Sequence, residues 1–259
     1  MRRLPYEDPV TRAGPLARTV AILAVLITLF AVVLVRDPRA EAGPALATLG
    51  AGLALAVLAI LCAGFAFVRV WREGARGLGA ALTGLFLACA LLAYPAFVGL
   101  RALGQPALTD VSTDIDNPPA FSRSRAADAA RDGHYIPEPG MGARAGQRAA
   151  YPQVAPLTLD LGADVAFELA RKAAVNRHWQ IIEAIRPGGR LGNGHIEAVS
   201  RGLLLNLADD VTVRVHPRGD GARIDVRSAS RLGGHDFGAN ADRIRAYLDE
   251  VANLAIAVK

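Results

Sequence analysis

Residues 227–244 read RSASRLGGHDFGANADRI, and no other stretch of the chain is as dense in groups able to bind or organise something. Arg227, Arg231 and Arg243 supply guanidinium forks; Ser228, Ser230, Asp236 and Asn240 supply short polar side chains. A guanidinium pairs bidentately with a carboxylate or a phosphate. A helix N-terminus, expected near Asn240, adds free N–H groups that favour an anion. Two chemistries follow. The arginines can be neutralised internally by Asp209, Asp210 and Asp236, which would make the stretch an architectural corner. Alternatively, spare arginine and backbone N–H groups bind a carboxylate, a phosphate or a lipid head group. Serine, histidine and aspartate also occur here, as Ser228 or Ser230, His235 and Asp236. Adjacent His235 and Asp236 need not point together, and no G-x-S-x-G elbow is present. No catalytic residue is therefore assigned. The histidines form no metal motif; His195 and His216 are expected near one another, but two ligands without cysteine or a carboxylate set do not make a zinc site. No metal and no cofactor are expected.

The corner needs a sheet and a helix to position it. Val211, Val213 and Val215 alternate with Thr212, Arg214 and His216, and Ile224 and Val226 alternate with Arg223, Asp225 and Arg227. This period of two predicts strands over 211–216 and 223–230, joined around Arg218-Gly219-Asp220-Gly221. With Val213 opposite Val226, Arg214 falls opposite Asp225, a cross-strand charge pair. The same pairing brings Asp209 and Asp210 to the end of the sheet that holds Ser230, Arg231, His235 and Asp236. Further strands are expected at 157–161, 179–186 and 195–205, with a helix over 163–177. Asn240 reads as the N-cap of a last helix, with Asp242 in its first turn and Ile244, Tyr247, Leu248, Val251 and Leu254 along one face. Two helices on one face of an antiparallel sheet make an α+β two-layer domain over 156–259.

ADDVTVRV at 208–215, followed by RSASRLGGHDFGANADRI, resembles the signature of the DUF1499 family, a domain of unknown function in bacteria and plastids. DVSTDIDNPPAF at 110–121 resembles the family's opening in membrane-anchored members. The resemblance covers about 108–254 and implies a domain boundary but no activity.

Hydrophobic residues make up 52% of the 259, and they crowd into the first hundred positions. Three runs, about 16–35, 44–68 and 78–100, are each long enough to cross a hydrocarbon core of ~30 Å. Ala40-Glu41-Ala42 has the form of a cleavage site, but the apolar run before it exceeds a signal-peptide core and arginines follow it, so a retained helix is expected. The resulting layout is a short cytoplasmic segment at 1–15, three transmembrane helices within 16–101, an extended Pro/Gly-rich linking or wrapping segment at 102–155, and the α+β domain. Arg2, Arg3, Arg12, Arg18, Arg69, Arg72 and Arg76 lie on one side of the spans; Arg36, Arg39 and Arg101 lie on the other. The positive-inside rule then places the N-terminus in the cytoplasm and the domain outside it. In a bacterium with two membranes that is the inner membrane and the periplasm.

Gly50 with Ala54, and Ala80 with Gly84 and Ala88, form small-residue stripes suited to packing within the bundle or to a dimer contact. The net charge of +5 does not imply nucleic acid, because the arginines alternate with acids and no stacking aromatics accompany them. The expected partners are the lipid bilayer, an anionic small ligand, and a membrane protein or a second copy of the chain. The leading function is a non-enzymatic binding or interaction module. An enzyme using the same corner and a structural subunit of a membrane assembly are the alternatives.

Overall fold

The structure, a computed structural model, describes residues 11–37, 40–188, 192–202 and 204–258. Arg2, Arg3, Arg39 and most of the N-terminal segment lie outside the described residues. The chain forms two compact units, residues 1–100 and 101–259.

The first unit is built of helices α1 (Ala13–Arg36), α2 (Ala42–Glu73) and α3 (Leu78–Ala102). Each is long and apolar enough to cross a membrane, with mean hydropathy 2.6, 2.6 and 2.0. Their packing reverses that of a water-soluble bundle. The buried face is almost all alanine and glycine: Ala17, Ala21 and Ala24 on α1, Gly52, Ala56, Ala59 and Ala63 on α2, and Ala81, Gly84 and Ala88 on α3. Leu26, Phe30, Leu61, Phe65 and Phe86 point outward. Lipid solvates large apolar side chains as well as protein does, so helix association is left to the close approach of small residues. Gly84 shows this, since a Cβ there would lie 2.7 Å from the Ala17 carbonyl carbon. The Gly84 and Ala88 stripe is thus inside the bundle, whereas Gly50 and Ala54 are on its outer surface.

The second unit is α+β. Strands β1 (Asp110–Ser112), β2 (Leu157–Leu159), β3 (Gln180–Ile185), β4 (Gly194–Arg201), β5 (Ala208–Arg218) and β6 (Gly221–Ser230) form one antiparallel sheet. Its order is β1-β6-β5-β4-β3, and β2 pairs with β6 beside β1. Val213 is opposite Val226 and Arg214 opposite Asp225, the expected register. Helices α6 (Ala163–Asn176) and α7 (Ala239–Ile256) cover one face. Val111, Ile196, Val211, Val213, Val215, Ile224 and Val226 meet Phe167, Ala170, Ile244, Tyr247 and Val251 there in one core.

The stretch 102–155 has more regular structure than its Pro/Gly-rich composition implied. It contributes β1 and two short helices, α4 (Arg125–Ala130) and α5 (Met141–Ala150). Gln147 of α5 accepts from Ser112 N at 3.1 Å and donates to Ser112 O at 2.6 Å, completing the open edge of β1 as another strand would. The 113–140 part covers the second sheet face, which alternation marked as polar. Thr212, Asp225, Arg227 and Glu197 on that face are buried.

Tyr247 ties α7 to α6. Its ring stacks on Trp179 at 4.6 Å and its hydroxyl donates to Ala170 O at 2.9 Å. Full burial holds its phenol far above the ordinary value of 10. The folded phenol stays protonated where an unfolded one ionises, so this contribution is complete below pH ~10 and is lost as pH rises further, at about 1.4 kcal/mol per pH unit. Tyr247→Phe is expected to cost ~1 kcal/mol at neutral pH and to flatten the alkaline limb. Denaturation midpoints of the two proteins, measured from pH 8 upward, should converge above pH ~10.

Candidate functional site

The dense stretch is divided between the two faces of the sheet. Successive side chains of β6 alternate, so Ser228 and Ser230 face α7 while Arg227 and Arg231 face away from it. On the helix face the hub is Asn240, which is fully buried. Its Oδ1 accepts from Ser228 Oγ at 2.7 Å, and its Nδ2 donates to Ser230 Oγ at 3.0 Å and to Thr109 O at 3.1 Å. Arg243 donates to Ser228 Oγ at 2.8 Å, to Ser200 Oγ at 3.1 Å, to Asn240 Oδ1 and to Asp209. Asp209 is raised above the ordinary carboxylate range by burial, with Arg243 opposing. Every member of this group has a partner within it.

Asn240 is not the N-cap expected of it. Helix α7 begins at Ala239, so Asn240 lies in its first turn with its side chain turned into the core. The capping role belongs to Asp236. Its carboxylate accepts from Gly238 N and Asn240 N, both at 2.9 Å. Gly238, at φ 78°, makes the left-handed turn that lets the chain enter the helix there.

On the second face Arg227 pairs with Asp110 of β1, its Nη2 lying 2.6 Å from Oδ2. It also donates to the carbonyls of Pro119 at 3.3 Å and Pro137 at 2.9 Å. Burial pushes the Asp110 carboxyl above the ordinary carboxylate range, and Arg227 pulls it part of the way back. Asp110, Asp114 and Asp116, close together in sequence, take separate partners. Asp114 joins Arg223 at 2.9 Å and Asp116 joins Arg148 at 2.8 Å. Arg231 pairs with Asp210 at 2.7 Å. The expected pairing of Arg231 and Arg243 with Asp210 and Asp209 is present, while Arg227 takes a partner from the stretch expected to be linker.

Beside Arg227 the 120–138 segment encloses a cavity of about 740 Å³. Its lining includes Phe121, Arg123, Arg131, His134, Tyr135 and Arg227. The Phe121 ring lies 4.8 Å from the Arg227 guanidinium carbon and 5.9 Å from that of Arg131. Arg131 is anchored by Glu197 of β4 at 2.5 Å, with both side chains 6% exposed or less. Glu197 also accepts from Ser122 N at 3.1 Å, and the Ser122 hydroxyl donates to Glu183 at 2.5 Å. Of a guanidinium's five N–H groups, those of Arg227 and Arg131 are mostly taken up by these bonds. Arg123 is exposed at the rim, and among the described residues it has no acidic partner. The acidic lining residues, Asp128 and Glu138, are paired with Arg131 at 3.1 Å and Arg144 at 3.3 Å. The cavity thus has one cation in excess.

Of the expected site residues, only Arg227 lines this cavity. Ser228, Ser230, Asn240, Arg243 and Asp209 form the helix-face network; Arg231 and Asp210 form a separate pair; Asp236 caps α7. Phe121, Arg123, Arg131 and Glu197 were not singled out from the sequence. The signal for Phe121 was its place in NPPAF, at the end of the motif-bearing opening at 110–121; Arg123, Arg131 and Glu197 lie outside it. His195 is registered with Arg214, and His216 lies further along β5, 3.8 Å from Asp225. Burial and neighbouring Arg214 lower the His216 pKa. Among the described residues no group of His, Cys, Asp and Glu is placed to hold a metal ion.

A family model described as a protein of unknown function, DUF1499, matches residues 110–251. No curated protein matches the chain.

Proposed function

The chain belongs to the DUF1499 family, whose description carries no activity, and we propose that it is a membrane-anchored, extracytoplasmic binding module. Its ligand site is the cavity floored by Arg227 and rimmed by Arg123. The ligand is a small molecule or lipid head group carrying one anionic group next to a flat or apolar part. The observation that carries this reading is Arg123, a cation with no acidic partner among the described residues, at the mouth of a cavity walled by Phe121, Tyr135 and Ile136. A cavity of about 740 Å³ is in the range that holds small ligands, ~300–1,000 Å³. The remaining arginines of the motif are neutralised by Asp209, Asp210 and Asp110, so their role in this reading is to hold the corner. The arginine distribution supports an inner-membrane location with the second unit on the periplasmic side. Labelling of that unit from the cytoplasmic side would overturn the orientation.

Native mass spectrometry of the full chain released from nanodiscs tests the site. A small mass is expected on the native protein and not on Arg123→Glu. Because Arg123 is exposed, its charge reversal should move stability by no more than about 0.5 kcal/mol. A mass retained equally by both proteins, or by neither, would remove the cavity as the binding site.

A further inference from the structure

The loop at 231–238 presents apolar side chains and is bonded to the first residues of the second unit. Leu232 is 43% exposed and Phe237 45%. The His235 ring stacks on Phe237 at 4.8 Å, and the pair makes a flat aromatic surface. Phe237 is held at φ 54°, a conformation uncommon for a bulky residue. Leu103, one residue past the end of α3, is 84% exposed.

Bonds within the second unit fix this loop to residues 101–109. Asp236 N donates to Leu108 O at 2.9 Å, and Ser230 N donates to Thr109 O at 2.7 Å. Arg101 pairs with Asp242 at 2.8 Å. Gly238 passes so close to Gln105 that a side chain at 238 would meet its amide. Helix α3 ends at Ala102, and Leu108 follows six residues later, a reach of at most ~20 Å even if fully extended. The ion pair made by Arg101 shortens the tether further. In water the exposed parts of Leu232, Phe237 and Leu103 face solvent and not an apolar neighbour. At a bilayer surface they have one, because aromatic and leucine side chains partition into the head-group boundary.

We propose that the loop at 231–238, together with Leu103, is a second membrane anchor, with Leu232 and Phe237 inserted in the interfacial layer of the bilayer that α1, α2 and α3 cross. The inference depends on the membrane-spanning helices and is independent of the ligand cavity. Its occupant is lipid, on the ground that the loop is tied to the first residues beyond the span.

The test is spin-label accessibility in the full chain reconstituted in phosphatidylcholine–phosphatidylglycerol vesicles. Cys62 and Cys89, the free cysteines, are replaced by alanine, and single nitroxide labels are placed through Leu232→Cys, Phe237→Cys and Asp220→Cys. Asp220 is in the exposed turn between β5 and β6, about 30 Å along the strand from Ser230. The labels at 232 and 237 should be relaxed more by oxygen than by a water-soluble nickel chelate, and the label at 220 should show the reverse. Each labelled protein should keep the unlabelled protein's unfolding midpoint. Nickel accessibility at 232 and 237 equal to that at 220 would overturn the proposal. So would shielding from both reagents, which would mark a protein partner instead of lipid.

Discussion

Replacing Arg227 with methionine is expected to destabilise the second unit by ~3–5 kcal/mol, the cost of breaking a buried ion pair from one side. The methionine fills much of the guanidinium's volume. It leaves the Asp110 carboxylate, 14% exposed, without its cation, and the carbonyls of Pro119 and Pro137 without their donor. Asp110 already titrates above the ordinary carboxylate range because of burial, so the unpaired acid would take up a proton in preference to remaining charged. The variant's stability should therefore fall less at low pH than at neutral pH. The double variant Arg227→Met, Asp110→Leu should recover the part of the loss due to the unpaired carboxylate, because an apolar pair of similar volume has no desolvation cost, while the Pro119 and Pro137 carbonyls stay without their donor. The cycle of single and double variants, followed by Trp179 fluorescence in a Trp71→Phe background, measures the coupling. Equal and additive losses would show that the pair does not act as a unit.

Asn240→Ser carries the second large effect. Serine is as good an N-cap as asparagine, so at a capping position the change would be nearly neutral. At 240 it removes the amide that bridges Ser228, Ser230, Thr109 and Arg243. The Ser228 hydroxyl then loses its acceptor and keeps only the bond from Arg243, and Ser230 Oγ and Thr109 O each lose a donor; with ~1–3 kcal/mol for a buried group left unmet, a loss of about 2–3 kcal/mol is expected. Asp236→Ala, which removes the true cap, should cost only ~1 kcal/mol. Urea midpoints of the two variants decide the order. The reverse ranking would return Asn240 to the capping role and make its network incidental.

The connection between sequence and structure differs from element to element. Strands β5 and β6 were legible because valine and isoleucine alternate with polar residues in register with the hairpin turn. Helix α7 was legible from the stripe at Ile244, Tyr247, Leu248 and Val251. Its start was misplaced by two residues, since asparagine is common at N-caps and its burial depends on what lies opposite. Serines 228 and 230 supply that environment, and their orientation toward α7 is set by the sheet. The second face of the sheet was also beyond a local reading. Alternation identifies Thr212, Arg214, Asp225 and Arg227 as sharing one face, but it does not tell whether that face meets water or another part of the chain. Here the 113–140 segment meets it, and the charges become buried pairs.

The same distinction holds for the whole protein. Properties that depend on near neighbours along the chain were determined by sequence alone: three apolar spans, the hairpin register, and membership of a family with a recognisable 227–244 signature. Hydropathy and period-two alternation report on transfer to lipid or burial on one face, and both are local sums. Tertiary structure decided which acid neutralises which arginine, which arginine lines a cavity, and that a dense stretch of polar residues is divided between the two faces of a sheet. Those outcomes rest on partners as distant in sequence as Asp110 and Arg227 or Arg131 and Glu197. Side chains in a strand alternate across a sheet, so residues adjacent in sequence are placed on opposite faces, and only the packing of remote segments determines what each face contains.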